Sequence, residues 1–280
     1  MKIARILNNN VVITIDSNKN ESIVCGKGIA FKKKIGDEID ESAINKIFVL
    51  QNQKLNEQFQ NIVAHIPLEH INVANEIIEM IKIELGKKLN DTIYITLSDH
   101  IHTSIERYLE GVVIKSPMRW DIKRFYGNEY RLGLKVLEII KEKFKIELPE
   151  DEAAFIALHI VNSEMEDSDI QQVMDMTKVI QEIVNIVKYY FSIEFDVDSL
   201  HYYRFITHLK FFAQRLFTKQ TYQGSQDDEL LEVVKRKYSL SYKCAEKVSD
   251  FILRKYEYSL SSEEKLYLTI HIERIIFRSN

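Results

Sequence analysis

The apolar positions of this chain change period twice. Over residues 1 to 34 they come in short runs rich in Ile and Val, Lys2 to Leu7, Val11 to Asp16, Ser22 to Cys25 and Ile29 to Lys33. The runs are separated by Asn8-Asn9-Asn10, Ser17-Asn18-Lys19-Asn20 and Gly26-Lys27-Gly28. Short β-branched runs broken by Asn and Gly predict a small antiparallel sheet. A sheet unit of this size buries little by itself, so it is expected to dimerise through one face. Residues 37 to 53 are less regular, with a short apolar run around Ile44, Ile47 and Phe48, and the polar stretch Asn52 to Asn61 reads as a linker. Helical spacing follows. Ala74 to Lys87 stacks Ile77, Ile78, Ile81 and Leu85, and Thr92 to Leu109 stacks Ile93, Leu97, Ile101, Ile105 and Leu109. Gln171 to Phe191, Glu229 to Lys237 and Ala245 to Lys255 continue the pattern. Pro149 with acids after it, and Ser261 three residues before Glu264, mark two further helix starts, the second a capping box.

The helical part is written twice. Shifted by 112 residues, Tyr130 falls on Tyr242, Lys135-Val136 on Lys247-Val248, Leu148 on Leu260, Glu152 on Glu264 and His159-Ile160 on His271-Ile272. Upstream, His100 stands seven residues before Arg107 and His208 seven before Arg215. Repeats of about 110 residues suit tandem small domains better than solenoid units. The expected fold is multidomain: a small antiparallel β-sheet domain at 1–56, a linker at 57–65, and two all-α helical bundles at 66–170 and 171–280.

Composition narrows the function. The 280 residues hold 3 Pro and 8 Gly, 45% hydrophobic and 29% charged residues, an ordinary globular balance. There is no apolar run long enough to span a bilayer and no signal-peptide core, so a cytoplasmic chain without membrane insertion is expected. Cys25 and Cys244 lack metal-type spacing and read as packed thiols. Net charge is −4, yet residues 1 to 34 carry seven Lys or Arg against two acids, which hints at a polyanion partner. Nucleotide-binding, esterase and zinc-protease motifs are missing, so catalysis is not expected and no cofactor or metal is implied. His100 and His102 point about 200° apart on a helix and cannot chelate one ion. A neutral imidazole, by contrast, is a good nucleophile, and phosphorylation would change its charge and its contacts.

With these residues assembled, the chain resembles the BglG-type transcriptional antiterminators from end to end. Met1-Lys2-Ile3-Ala4-Arg5, Asn8-Asn9-Asn10, Gly26 to Phe31, and Lys33 followed by Gly36-Asp37 look like the co-antiterminator RNA-binding domain. Asp99-His100-Ile101, Ala157-Leu158-His159, His208 to Leu216 and Ile270 to Arg274 look like the four histidine motifs of paired sugar-phosphotransferase (PTS) regulation domains. The resemblance implies a homodimer that grips a leader mRNA hairpin and prevents an overlapping terminator from forming in a sugar-utilisation operon. It assigns RNA contact to Arg5, Asn8, Asn10, Gly26, Lys27 and Phe31, with Gly26 letting backbone approach the RNA and Phe31 as a stacking ring. It assigns phosphorylation to His100 and His159 by a sugar-specific PTS permease (enzyme II), inhibitory, and to His208 and His271 by the phosphocarrier protein HPr, activating. Thr103-Ser104 departs from the family's bulkier pair, and His102 is a possible substitute acceptor. The alternative is a DNA-binding transcriptional activator with the same regulation domains, which would call for a helix-turn-helix at the N-terminus.

Overall fold

The structure is a computed structural model describing residues 1–16, 20–49, 53–165, 169–218 and 228–276. Residues 17–19 of the expected second turn, residue 52 at the head of the expected linker and residues 166–168 of the acidic stretch lie outside these. The chain divides into two compact units, Met1–Ser168 and Asp169–Asn280.

The first unit opens with four antiparallel strands in sequential order: β1 (Ile3–Asn8), β2 (Val11–Ile15), β3 (Glu21–Cys25) and β4 (Lys46–Phe48). Asn9-Asn10 turns β1 into β2, and Asn8 Oδ1 fixes that turn by accepting from Asn10 N at 2.8 Å. The expected strand at Ile29 to Lys33 is instead a run of turns. Phe31 N bonds Gly28 O, Lys33 N bonds Ala30 O, and Lys32 sits at φ 58°. Its apolar residues are buried all the same. Ile29, Ala30 and Ile39 fold back over the sheet face of Ile3, Val12 and Val24. The fourth strand comes from the irregular stretch, and Ile23 pairs with its Phe48.

The polar residues expected to form the linker are helical. α1 (Gln53–His65) places Phe59 and Val63 against the other sheet face, where Val11, Ile13, Ile23, Cys25 and Phe48 alternate with the residues of the first face. Ile71 from α2 (Leu68–Leu85) and Tyr94 and Ile95 from α3 (Thr92–Leu109) complete that core. Both sheet faces are therefore covered by the chain itself, and β2 is buried from Val11 to Thr14. The face built from Val11, Ile13, Ile23, Cys25 and Phe48 is occupied by α1 in this arrangement.

α2 and α3 are followed by α4 (Arg119–Phe125), α5 (Gly127–Phe144) and α6 (Asp151–Ser163). α5 and α6 are the most intimately packed helices of the unit: a Cβ added at Gly133 would lie 2.4 Å from Ala153 O. The second unit repeats the plan with α7 (Ile170–Phe191), α8 (Leu200–Thr218), α9 (Asp228–Lys237), α10 (Ser239–Tyr256) and α11 (Ser262–Ile276). The repeat extends to helix ends. α5 stops at Lys145 and α10 at Glu257, both left-handed caps at φ 59° and 53°. Lys143 pairs with Glu76 of α2 at 2.7 Å, and its equivalent Lys255 pairs with Glu182 of α7. The capping box read at Ser261 and Glu264 forms in both directions, Glu264 N to Ser261 Oγ and Ser261 N to Glu264 Oε2, each 3.1 Å.

Candidate RNA-binding surface and histidine sites

At one end of the sheet the turns hold each other. Gly26 N donates to Asn10 O (2.9 Å), Ala30 N to Asn9 O (3.1 Å) and Gly28 N to Asn10 Oδ1 (2.8 Å). Asn10 therefore spends its side-chain oxygen on the 26–31 loop and keeps its amide nitrogen for other partners. Phe31 projects from that loop with 62% of its surface exposed, and the Lys32 ammonium lies 5.4 Å from its ring centre. An exposed aromatic ring beside an amide and two lysines can stack on an unpaired base while charge holds phosphate. Gly26 has a reason within the chain: a Cβ there would meet Ala43 O at 2.0 Å.

Four of the six residues assigned to RNA contact, Asn10, Gly26, Lys27 and Phe31, belong to this loop cluster. The other two face α1. Asn8 Nδ2 donates to Val63 O at 3.0 Å and Ala64 O at 3.2 Å, while Arg5 bonds Gln60 and lies 3.8 Å from Glu21.

The four histidines meet in two pairs. In the first unit, α3 and α6 bring the His100 and His159 rings to 4.7 Å between centres. Arg107, noted for its spacing from His100, and Glu152, noted as the repeat partner of Glu264, complete the cluster. Arg107 Nη2 donates to Glu152 Oε1 at 3.0 Å, and Glu152 Oε2 lies 3.0 Å from His100 Nε2 without hydrogen-bond alignment. Glu152 is only 4% exposed. His100 Nε2, Glu152 Oε2, His159 Nδ1 and Arg107 Nε are all buried with no hydrogen-bond partner among the described residues. Burial, followed by the neighbouring His100, holds His159 well below the ordinary histidine range. It is a neutral base at pH 7.

In the second unit, α8 and α11 bring His208 and His271 to 3.9 Å, and Tyr267 lies parallel to His208 at 6.1 Å. Arg215 reaches Glu264 Oε1 through Nε and Nη2 at 3.4 and 3.3 Å. Glu264 is held more firmly from elsewhere, by Tyr258 Oη at 3.1 Å to both oxygens and by Ser261 N. His208 is exposed whereas His271 is 7% exposed. The pair opens into a cavity of about 300 Å³ with apolar walls from Phe205, Phe212, Val248 and Leu260. Burial, then His208, Arg274 and Arg204, press His271 down to about 4; partial burial and Arg215 lower His208. Both imidazoles keep a free lone pair at neutral pH.

His102 is not part of the first pair. Its Nδ1 lies 3.1 Å from His70 Nδ1 and its Nε2 3.4 Å from Glu106, on another side of α3. Ser104 is buried with its hydroxyl bonded to Ile101 O, so the departure from a bulky pair is absorbed locally. His65 bonds Asn61 O near the end of α1. Among the described residues no group of three or more His, Cys, Asp or Glu is placed to hold a metal ion.

A small sheet domain with a loop-borne aromatic, joined to duplicated helical units that each bring two histidines together beside an Arg–Glu pair, defines a nucleic-acid-binding regulator of tandem design. The comparisons agree: residues 1–57 match the CAT RNA binding domain, and residues 75–163 and 181–275 match the PRD domain. The chain belongs to the BglG/LicT family of transcription antiterminators. It is 50% identical to the transcription antiterminator LicT of Bacillus subtilis over 99% of each chain. It is 47% identical to the beta-glucoside operon antiterminator of Dickeya chrysanthemi over 98% of this chain and 96% of the relative. The crystal structure of GlcT CAT-PRDI matches with a TM-score of 0.50 and 33% identity, over 59% of this chain and 98% of that one. These relatives are named as regulators of transcription, not as enzymes. Among the described residues no helix is long and apolar enough to cross a membrane.

Proposed function

We propose that the chain acts in the cytoplasm as a dimer that binds a leader mRNA hairpin of a sugar-utilisation operon, blocks terminator formation and is controlled by histidine phosphorylation. Phosphorylation at His100 or His159 by a sugar-specific PTS permease is inhibitory; phosphorylation at His208 or His271 by the phosphocarrier protein HPr is activating. The observation that carries this reading is the recurrence, in both helical units, of two touching imidazoles beside an Arg–Glu pair. The N-terminal 49 residues support an RNA role over the activator alternative, because they form a four-stranded sheet where that alternative calls for a helix-turn-helix. Asn10, Gly26, Lys27 and Phe31 make the RNA contact; Arg5 and Asn8 join them when α1 releases the sheet. That same release frees Val11, Ile13, Ile23, Cys25 and Phe48 for a second copy, so the docked α1 belongs to a form not yet paired.

The test is titration of the full chain with a hairpin RNA carrying internal loops, and with duplex DNA of matched length, at two salt concentrations. Preference for the looped RNA that persists in added salt, and that falls with Asn10→Ala or Phe31→Ala, supports the reading. Equal, salt-labile binding to both nucleic acids sinks it.

A further inference from the structure

The two histidine sites share their four residues but differ in what holds the glutamate, and the difference is written at two positions. The hydroxyl that binds Glu264 from Tyr258 has no counterpart in the first unit, where the repeat places Ile146. The backbone N–H that binds Glu264 from Ser261 also has none, because the repeat places Pro149 there, and proline lacks that hydrogen. Without these two anchors, Glu152 rests on Arg107 through one hydrogen bond and leans on His100 Nε2 at 3.0 Å. Among the described residues, no hydrogen bond or ion pair joins Glu264 to either imidazole of its own site.

We infer that Arg107 and Arg215 are the phosphoryl-binding residues of the two sites, and that the anchoring of the neighbouring glutamate makes phosphorylation loosen the first site and tighten the second. The inference rests on the phosphorylation reading above. In the transfer, the lone pair of the unprotonated ring nitrogen attacks phosphorus. The bond from phosphorus to the donor's nitrogen or sulfur breaks with its electron pair remaining on the donor, and the proton on the other ring nitrogen stays. The product is a phosphoryl group of charge near −2 on an imidazole.

On His100 that charge arrives against Glu152, which is buried and has no second anchor. Guanidinium pairs with phosphoryl oxygens at least as well as with carboxylate and does so with two parallel bonds. Arg107 therefore transfers to the phosphoryl group, its unpartnered Nε included, and Glu152 loses the contact that holds the start of α6 to α3. On His208 the outcome reverses. Glu264 stays with Tyr258 and Ser261, and Arg215, now at 3.3 to 3.4 Å from it, lies between carboxylate and phosphoryl group. The arginine then ties α8, which carries it, to α11.

The test treats the full chain with potassium phosphoramidate, whose P–N bond breaks with release of ammonia. Phosphohistidines are located by mass spectrometry, and hydrogen–deuterium exchange is followed peptide by peptide. The expected result is exchange at least fivefold faster in α3 and α6 and at least fivefold slower in α8 and α11. Glu152→Gln, which removes the buried negative charge, should abolish the acceleration while leaving His100 or His159 phosphorylated. Tyr258→Phe, which removes one anchor with little change of shape, should shrink the protection gained in the second unit. Phosphorylation with the same direction of change in both units, or an unchanged response in Glu152→Gln, overturns the inference and leaves the phosphorylation reading standing. No phosphohistidine at any of the four positions overturns both.

Discussion

Replacing Gly133 with alanine tests the packing that positions the first histidine site. A methyl group at 133 would lie 2.4 Å from Ala153 O and 3.1 Å from Ala153 Cα and carbonyl carbon, all backbone atoms that cannot rotate aside. Restoring normal contact requires α5 and α6 to separate by roughly 1 Å. Alanine favours the helix by about 1 kcal/mol over glycine. Overpacking of this kind costs about 1–3 kcal/mol, and an obstacle made of backbone puts it at the upper end. The expected net is a loss of about 1–2 kcal/mol. The equivalent position in the second unit is Ala245, which is fully buried, so that unit already accommodates the methyl group. Ala245→Gly should cost about 1–2 kcal/mol there, from helix propensity and the small void left behind. Opposite substitutions at equivalent positions are thus both destabilising, which helix propensity alone does not produce. Amide exchange in α5 and α6 reads the effect, with about 1.4 kcal/mol appearing as a tenfold faster rate when opening and reclosing are fast relative to exchange. Unchanged or slower exchange in Gly133→Ala would refute the close approach.

The pH dependence of the second unit follows from His271. Its folded value near 4 lies below the unfolded value of 6.5, so the unfolded chain binds the proton more readily. The stability it contributes is complete above about pH 6.5 and is lost as pH falls toward 4. Between pH 7 and 5 this amounts to about 1 kcal/mol after discounting for solvent screening, and urea titrations should find it reduced in His271→Gln. Asn8→Asp replaces a donor to Val63 O and Ala64 O with a carboxylate that repels both; docking of α1 should weaken by about 2–3 kcal/mol, seen as faster exchange in α1. Gly26→Ala drives a methyl group into Ala43 O and should lower affinity for the hairpin RNA at least tenfold, whereas Gly36→Ala, at φ 95° with open space around it, should cost about 1 kcal/mol of stability with affinity unchanged.

Three of the four strands were legible in the sequence because alternation and Asn turns agree there. The fourth was not, for a local reason and a tertiary one. Ile29 to Lys33 has strand-like residues, yet the left-handed Lys32 and the bonds from Phe31 N and Lys33 N turn it back over the sheet. Lys46–Phe48 is only three residues long and depends on β3 for its identity. α1 was hidden by its polar composition, although Leu55, Phe59, Ile62 and Val63 do keep helical spacing. The sheet beneath them makes that spacing count. At the histidine sites, the repeat located the imidazoles and matched Glu152 to Glu264, and the seven-residue spacing from His100 to Arg107 puts those two on nearly one helical face. The meeting of Arg107 with Glu152 depends on the pairing of α3 with α6, which no spacing within either helix encodes.

The repeat is most informative where it fails. Both units keep the imidazoles, the arginine and the glutamate, so those four residues cannot by themselves distinguish one site from the other. Tyr258 and Ser261 stand where the first unit has Ile146 and Pro149, and these two changes alter no charge and no histidine. They decide instead whether a buried carboxylate is satisfied independently of its arginine. A carboxylate with its own hydroxyl and amide donors can share a guanidinium with a newly arrived anion, whereas one that relies on the guanidinium is left buried without compensation when that group turns away. Two sites of identical chemistry can thus respond to the same modification in opposite directions, with residues that never touch the phosphoryl group setting the sign.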